Sequence, residues 1–367
     1  MRDEATNENH LFPAPGTRHP APAKLLVRVP NWVGDAVMAV PALRELRRIF
    51  NEARIALVAK PGVAELFVGE GLADDLLTAN DARGFFHKIR QFFSDAQRLR
   101  HGRFDMAVLL PNSFASALAA RAGGVKQIVG YATDARRPLL TQTVAFEANF
   151  KQLHQVRYYL NIAAQLEQRR TGQSRVRFDA PPRLSVSEEA KQQARRLLER
   201  AGIDTAKRLV ALNPGATNSR AKRWLPERFS ATADQLSERD DFVTLIVGTP
   251  GDREVANRVA EQMRTKVVDL TGRTTLAELK AVLACAALVI SNDTGTAHVA
   301  AALGVPTVTI FGPTEHFATR PLAELAAVVR HPVDCSPCML RDCPIDHRCM
   351  TRVEVADVAR QAQQLLA

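Results

Sequence analysis

Short unbroken apolar runs recur along this chain, and the stretches between them carry apolar residues at helical spacing. Lys24–Val29, Arg54–Ala59 and Phe104–Leu110 are runs of the first kind; Asp75–Thr78 and Gln127–Tyr131 are shorter ones. Runs without polar alternation predict strands buried on both faces, the condition of a parallel sheet covered by helices. Residues leading to Phe50, Phe85–Arg100 and Leu153–Glu167 predict the helices. Pro41 lies inside the first of these and marks either a kink or the true first turn. After Tyr131 the pattern loosens. It restarts at Arg208–Leu212, Phe242–Val247, Lys266–Leu270, Leu288–Ser291 and Thr307–Phe311, with helical stretches near Pro226–Ser237, Asp252–Arg264, Thr275–Cys285 and Thr296–Leu303.

Two such series predict two doubly wound α/β units. Between them Gly172, Pro181 and Pro182 lie amid charged and small residues, a linker composition. The expected organisation is a disordered Pro-rich tail at 1–23, a first unit at 24–172, a linker at 173–187, a second unit at 188–350 and an amphipathic helix in 351–367. A length of 367 residues agrees, since single cores stop growing well before that size.

Charge narrows the functional classes. The formal net charge is +10, which favours nucleic acid, anionic lipid or a phosphorylated substrate as partner. Aromatic residues are only 6% and no basic-aromatic stacking motif is present, which weighs against nucleic acid. No apolar run approaches the roughly 20 residues needed to span a bilayer. P-loop, GxGxxG, HExxH and GxSxG patterns are missing, which argues against the NTPases, dehydrogenases, zincins and esterases that use them.

Ligands of open α/β sheets bind beyond the carboxyl ends of strands, so chemistry is sought in the loops that follow strands. In Pro30–Asp35, Gly34 permits a close backbone approach and Asp35 is either a helix cap or a general base, on the first unit and away from the second. In Asn213–Trp224, small polar residues including Thr217 and Asn218 stand beside Arg220, Lys222 and Arg223, a loop suited to a diphosphate or merely solvated. In Ser291–His298, Asp293 can accept from a sugar hydroxyl, the N–H groups of Thr294, Gly295 and their neighbours open a helix and suit phosphate, and His298 lies on its first turn. In Gly248–Glu254, Asp252 and Glu254 either bind ribose hydroxyls or favour the next helix N-terminus.

At these loops the sequence resembles glycosyltransferase family 9, the heptosyltransferases of lipopolysaccharide core synthesis. The resemblance covers nearly all of 24–367. It rests on Pro30-Asn-Trp-Val-Gly-Asp-Ala-Val-Met38, Leu110-Pro-Asn-Ser-Phe114, Asn213-Pro-Gly-Ala216 with Ala221-Lys-Arg-Trp224, and Asn292-Asp-Thr-Gly-Thr-Ala-His298. The Trp-Val-Gly-Asp form is most similar to the heptosyltransferase II branch. The resemblance implies a GT-B fold, an ADP-heptose donor, a lipid A–core acceptor and inversion without a catalytic metal, at the cytoplasmic face of the inner membrane. It implies Asp35 as base, Lys222 on the donor phosphates, and Asp293, Gly295 and His298 in the donor site. Asn112, Ser113 and Arg136 are the acceptor-side candidates; Arg136, with Arg137 and Lys151, either meets acceptor phosphates or is an ordinary solvated charge. The readings set against it are another GT-B transferase or a nucleotide-sugar epimerase with a different sugar, and a basic nucleic-acid-binding protein.

Cys335, Cys338, Cys343 and Cys349 form C-x2-C-x4-C-x5-C. Four thiols so spaced suit structural zinc or iron, free thiols, or disulfides, the last less expected in a reducing compartment.

Overall fold

A computed structural model describes residues 22–79 and 84–367; most of the tail expected at 1–23 lies outside the described residues. Two six-stranded parallel sheets are present. The first comprises β1 (Lys24–Arg28), β2 (Arg54–Ala59), β3 (Asp75–Thr78), β4 (Met106–Leu109), β5 (Gln127–Tyr131) and β6 (Gln142–Val144). The second comprises β7 (Leu209–Asn213), β8 (Val243–Ile246), β9 (Val267–Asp269), β10 (Leu288–Asn292), β11 (Thr307–Ile310) and β12 (Ala326–Val329). Their orders are β3-β2-β1-β4-β5-β6 and β12-β11-β10-β7-β8-β9. Read from the other edge, the second order repeats the first. In each sheet the winding reverses between the first strand and the fourth, at β1/β4 and at β7/β10.

That reversal opens a crevice at the carboxyl ends of the paired strands. The four loops leaving β1, β4, β7 and β10 carry the four motifs quoted above. β6 and β12 were not predicted. They are edge strands of three and four residues with little fully buried sequence; β6 has no apolar run to signal it, whereas β12 ends the apolar run Leu325–Val329.

Pro41 marks a first turn. Val33–Met38 and Val40–Ile49 are separate helices joined at Ala39, with Pro41 in the opening turn of the second, where its missing N–H costs nothing. The final helix, Val355–Leu366, buries Val358 and Ala362 against the second sheet together with Val353 and Met350.

The sheets share one apolar seam. Val37, Val40 and Leu43 from the first half pack in the same cluster as Leu283, Val299 and Ala300 from the second. A buried polar knot accompanies it: Lys280 Nζ donates to Glu70 Oε1 and to Leu66 O, each at 3.1 Å. The same Glu70 oxygen accepts the Ser185 N–H at 2.9 Å. Lys280 and Glu70 are 5% and 8% exposed, and the buried charges compensate each other, with Arg44 meeting the other Glu70 oxygen at 3.5 Å.

Candidate active site

The chain leaving β1 turns at once into Val33–Met38, whose N-cap is Trp32 with no side-chain bond. Asp35 sits in the first turn and caps nothing. Its Oδ1 accepts a hydrogen bond from the Tyr159 hydroxyl at 3.4 Å, so the cap alternative falls. Burial raises the Asp35 pKa; the Tyr159 hydrogen bond and the Lys222 charge oppose that rise, and Asp293 adds to it. A carboxylate with raised proton affinity is suited to taking a proton. Burial also lifts the Tyr159 pKa well above its usual value, so this phenol remains a donor.

The influence of Lys222 and Asp293 corrects one expectation of placement. Asp35 is not held apart from the second half; it lies within electrostatic reach of residues on the loops after β7 and β10. The contact is direct next door. A Cβ on Gly295 would stand 2.6 Å from Val33 Cβ and 3.2 Å from Gly34 N, and one on Gly34 would stand 3.0 Å from His298 Cδ2. Glycine occupies both positions because two segments touch there. His298 is 5% exposed, and burial pushes its pKa down to about 4, so it is neutral near pH 7.

One carboxylate oxygen of Asp293, Oδ2, carries its side-chain contacts. Lys222 Nζ donates to its Oδ2 at 2.7 Å and to its main-chain oxygen at 3.3 Å. The Thr314 hydroxyl donates to the same Oδ2 at 2.7 Å. Asp293 thus fixes Lys222, using two of the ammonium's three protons and leaving one for an anion. The loops are tied further at their roots. Thr294 Oγ1 donates to Asn213 Oδ1 at 2.9 Å, and Asn292 Nδ2 donates to Pro214 O at 2.8 Å. Thr294 is also the N-cap residue of the helix Gly295–Ala302, whose first N–H groups lack intrahelical partners.

Thr217 and Asn218 are exposed on the β7 loop, with Thr217 Oγ1 3.2 Å from Thr249 Oγ1. Asp252 is 3% exposed and closes a capping box: its Oδ2 accepts from Thr249 N at 3.0 Å and Thr249 Oγ1 at 2.6 Å. Its other oxygen meets Arg223 at 3.4 Å. The helix-terminus alternative holds for Asp252, whose carboxylate closes this capping box. Glu254 is exposed in the first turn of Arg253–Gln262.

On the first half, Arg136 requires a correction. It is fully buried, neither a solvated charge nor a surface for phosphate. Its guanidinium donates to Tyr131 O at 2.8 Å, to Pro111 O, and to Asn112 Oδ1 at 3.1 Å. Asn112 Oδ1 also accepts from the Tyr158 hydroxyl at 2.8 Å, so Asn112 and Arg136 brace the β4 loop from within. Ser113 caps the helix Phe114–Ala122 and lines a cavity of about 260 Å³ beyond β1, β2 and β4. Arg28, Asn31, Lys60 and Arg98 also line it. Arg28 donates to Asn31 Oδ1 at 2.7 Å and to Val58 O at 2.8 Å.

Among the described residues no three His, Cys, Asp or Glu side chains are placed to hold an ion. Cys335 and Cys338 are exposed, whereas Cys349 is buried, with its pKa pushed up to about 11 by burial and then by the other three thiols. Hydrogen bonds hold this segment. Ala221 N donates to Arg341 O at 2.9 Å, and His347 Nε2 to Ala221 O at 2.7 Å. The segment buttresses the loop that carries Lys222.

Sequence reasoning missed Tyr159, Thr314, Arg28, Asn31 and Arg98. Arg28 carried a signal, as a lone cation ending an apolar strand, and Asn31 lies within the Pro30–Asp35 loop.

The glycosyltransferase family 9 (heptosyltransferase) model matches residues 92–348. The chain belongs to glycosyltransferase family 9. This family 9 glycosyltransferase is 28% identical to lipooligosaccharide heptosyltransferase 2 of Campylobacter jejuni, a match covering 94% of this chain and 98% of the relative. It is likewise 28% identical to lipopolysaccharide heptosyltransferase 2 of Escherichia coli K12, covering 84% and 88%. The solved ADP-heptose LPS heptosyltransferase II of E. coli superposes with a TM-score of 0.78 at 25% identity, over 94% of this chain and 98% of that one. A family 9 glycosyltransferase from Veillonella parvula superposes at 0.80 and 24% identity, over 94% and 97%. The paired sheets are therefore those of the GT-B fold. Among the described residues no helix is long and apolar enough to cross a membrane.

Proposed function

We propose that this enzyme transfers a heptose, with inversion, from ADP-heptose onto the heptosyl inner core of a lipid A–core acceptor. One observation carries the reading: Asp35 on the first half lies within electrostatic reach of the Lys222–Asp293 pair on the second. A base and an anion-binding cation thus flank one point on the seam. The first half, 24–172, takes the acceptor; the second, 188–350, takes the donor; 173–187 links them.

Asp35 removes the proton of the attacking hydroxyl as its oxygen bonds to the anomeric carbon. The bond from that carbon to the donor phosphate breaks, and the electron pair leaves with ADP. Lys222 and the N–H groups opening Gly295–Ala302 stabilise the charge on ADP, being fixed before the reaction and needing no rearrangement. Neutral His298 keeps the seam free of a second cation beside Lys222. Thr217, Asn218 and Glu254 are exposed where they can meet the nucleotide. Arg28, Asn31, Lys60 and Ser113 line the acceptor cavity. The acceptor is lipid-borne, so the enzyme works as a peripheral protein at the cytoplasmic face of the inner membrane.

Incubation with ADP-heptose and a purified truncated core lipid tests this, read by mass. One added heptose with release of ADP is the expected product. Transfer from another nucleotide sugar in preference, or epimerised free sugar without transfer, would overturn it.

A further inference from the structure

The acceptor cavity has a rim that its lining does not explain. Four large apolar side chains stand exposed on the segments that line it: Trp32 is 58% exposed, Ile89 40%, Phe93 65% and Phe114 44%. Each lies within two residues in sequence of a cavity-lining position, namely Asn31, Gln91, Asp95, Ser113 or Ala115. The helix Phe85–Gly102 divides accordingly. Gln91, Asp95, Arg98 and Leu99 face the cavity, whereas Ile89 and Phe93, four residues apart, share a solvent face. Arg90 and Arg100 are also exposed. Along this helix Lys88, Arg90, Arg98 and Arg100 stand against one acid, Asp95.

Apolar side chains standing free beside a cationic helix fit one environment better than water. The interface of a bilayer takes rings and branched chains among its acyl boundary while anionic headgroups meet Arg and Lys. A protein partner would be expected to meet a flatter and less charged patch.

We propose that the rim Trp32, Ile89, Phe93 and Phe114, with the basic outer face of Phe85–Gly102, docks on an anionic lipid leaflet and so presents the cavity mouth to an acceptor anchored there. This rests on the proposed acceptor being lipid-borne, and supplies the surface through which it is reached.

The test is co-sedimentation of the full chain with phosphatidylcholine vesicles, with and without phosphatidylglycerol. Transfer to an acylated acceptor in those vesicles is measured beside transfer to a deacylated, soluble one. The parent should bind the anionic vesicles and lose binding as salt rises. Phe93→Glu and Ile89→Glu should each lower vesicle partition about tenfold or more, slow transfer to the vesicle-borne acceptor, and leave transfer to the soluble acceptor unchanged. Phe93→Trp should retain binding. Equal partition of Phe93→Glu and parent, or no vesicle binding by a parent that transfers to both acceptors, overturns the docking surface while leaving the reaction standing. Self-association that Phe93→Glu abolishes, without vesicle binding by the parent, identifies a second copy as the occupant and overturns it too. Vesicle binding without transfer to either acceptor overturns the proposed reaction instead.

Discussion

Asp35 and Asp293 are carboxylates of the same kind in similar places, each just beyond a strand at a point where the sheet's winding reverses. Their circumstances are opposite. Asp293 is buried with a lysine at 2.7 Å and a threonine hydroxyl at 2.7 Å, so its charge is already spent on holding Lys222. Asp35 has one tyrosine hydroxyl at 3.4 Å and no cation bonded to it, and burial raises its pKa. A carboxylate clasped by a lysine within the protein serves as scaffold; one left under-solvated with a single weak donor keeps the capacity to bind a proton. Position in the fold brought both to the site, and their partners separate the two roles.

Exchanging either carboxylate's function should give the largest effects. Asp35→Asn is expected to lower kcat about 10²–10⁴-fold while ADP affinity, measured by calorimetry, stays within about twofold of the parent. Near-normal turnover would reduce Asp35 to a bystander and erase the contrast. Lys222→Ala should reduce kcat about 10²–10³-fold. Unlike Asp35→Asn, it should also weaken ADP binding and lower the melting temperature, because Asp293 is left buried without its cation. A variant with full ADP affinity would remove Lys222 from the donor site.

The third way to break the comparison is to push the halves apart. Gly295→Ala places a Cβ against Val33, and overpacking of this kind costs about 1–3 kcal/mol. Turnover should fall with the melting temperature, whereas Gly304→Ala, whose Cβ would meet nothing within 4 Å, should cost stability through its backbone φ of +76° and leave turnover of the folded enzyme intact. Equal loss of turnover in both would show that the seam is not special.

The smallest effect sharpens the contrast most. Asp35 acts as base when ionised, so kcat/KM should rise with pH through its pKa, with the limb above the ordinary carboxylate range. The Tyr159 hydrogen bond favours the ionised form. Tyr159→Phe should therefore move that limb to higher pH and lower the rate at neutral pH about two- to tenfold. An unmoved limb would mean the phenol serves packing alone.

Much of this architecture was legible in the chain. Strands buried on both faces announce themselves as apolar runs, as β1, β4, β7 and β10 do; β6 is a short edge strand with no such run, while β12 lies in the apolar run Leu325–Val329 and was missed. The motif loops after β1, β7 and β10 were found because open sheets bind ligands beyond strand ends; the loop after β4 came from the family resemblance. What the chain could not disclose was pairing. Nothing local says that Arg136 turns inward to hold Asn112, that Asp252 closes a capping box, or that Asp293 clasps Lys222. Tyr159 was invisible for the same reason, since it meets Asp35 across 124 residues. The four cysteines come near enough for the other three thiols to act on Cys349, but spacing alone does not fix which way side chains point.

The apolar seam between the sheets has a thermal consequence. Any step that parts the halves, including release of ADP from between them, exposes Val37, Val299 and their neighbours to water. Exposed apolar surface raises heat capacity. If parting limits the cycle, the Eyring plot of kcat should bend, whereas a cycle limited by chemistry within the closed seam should give a line closer to straight. Temperature alone can therefore report which event sets the pace.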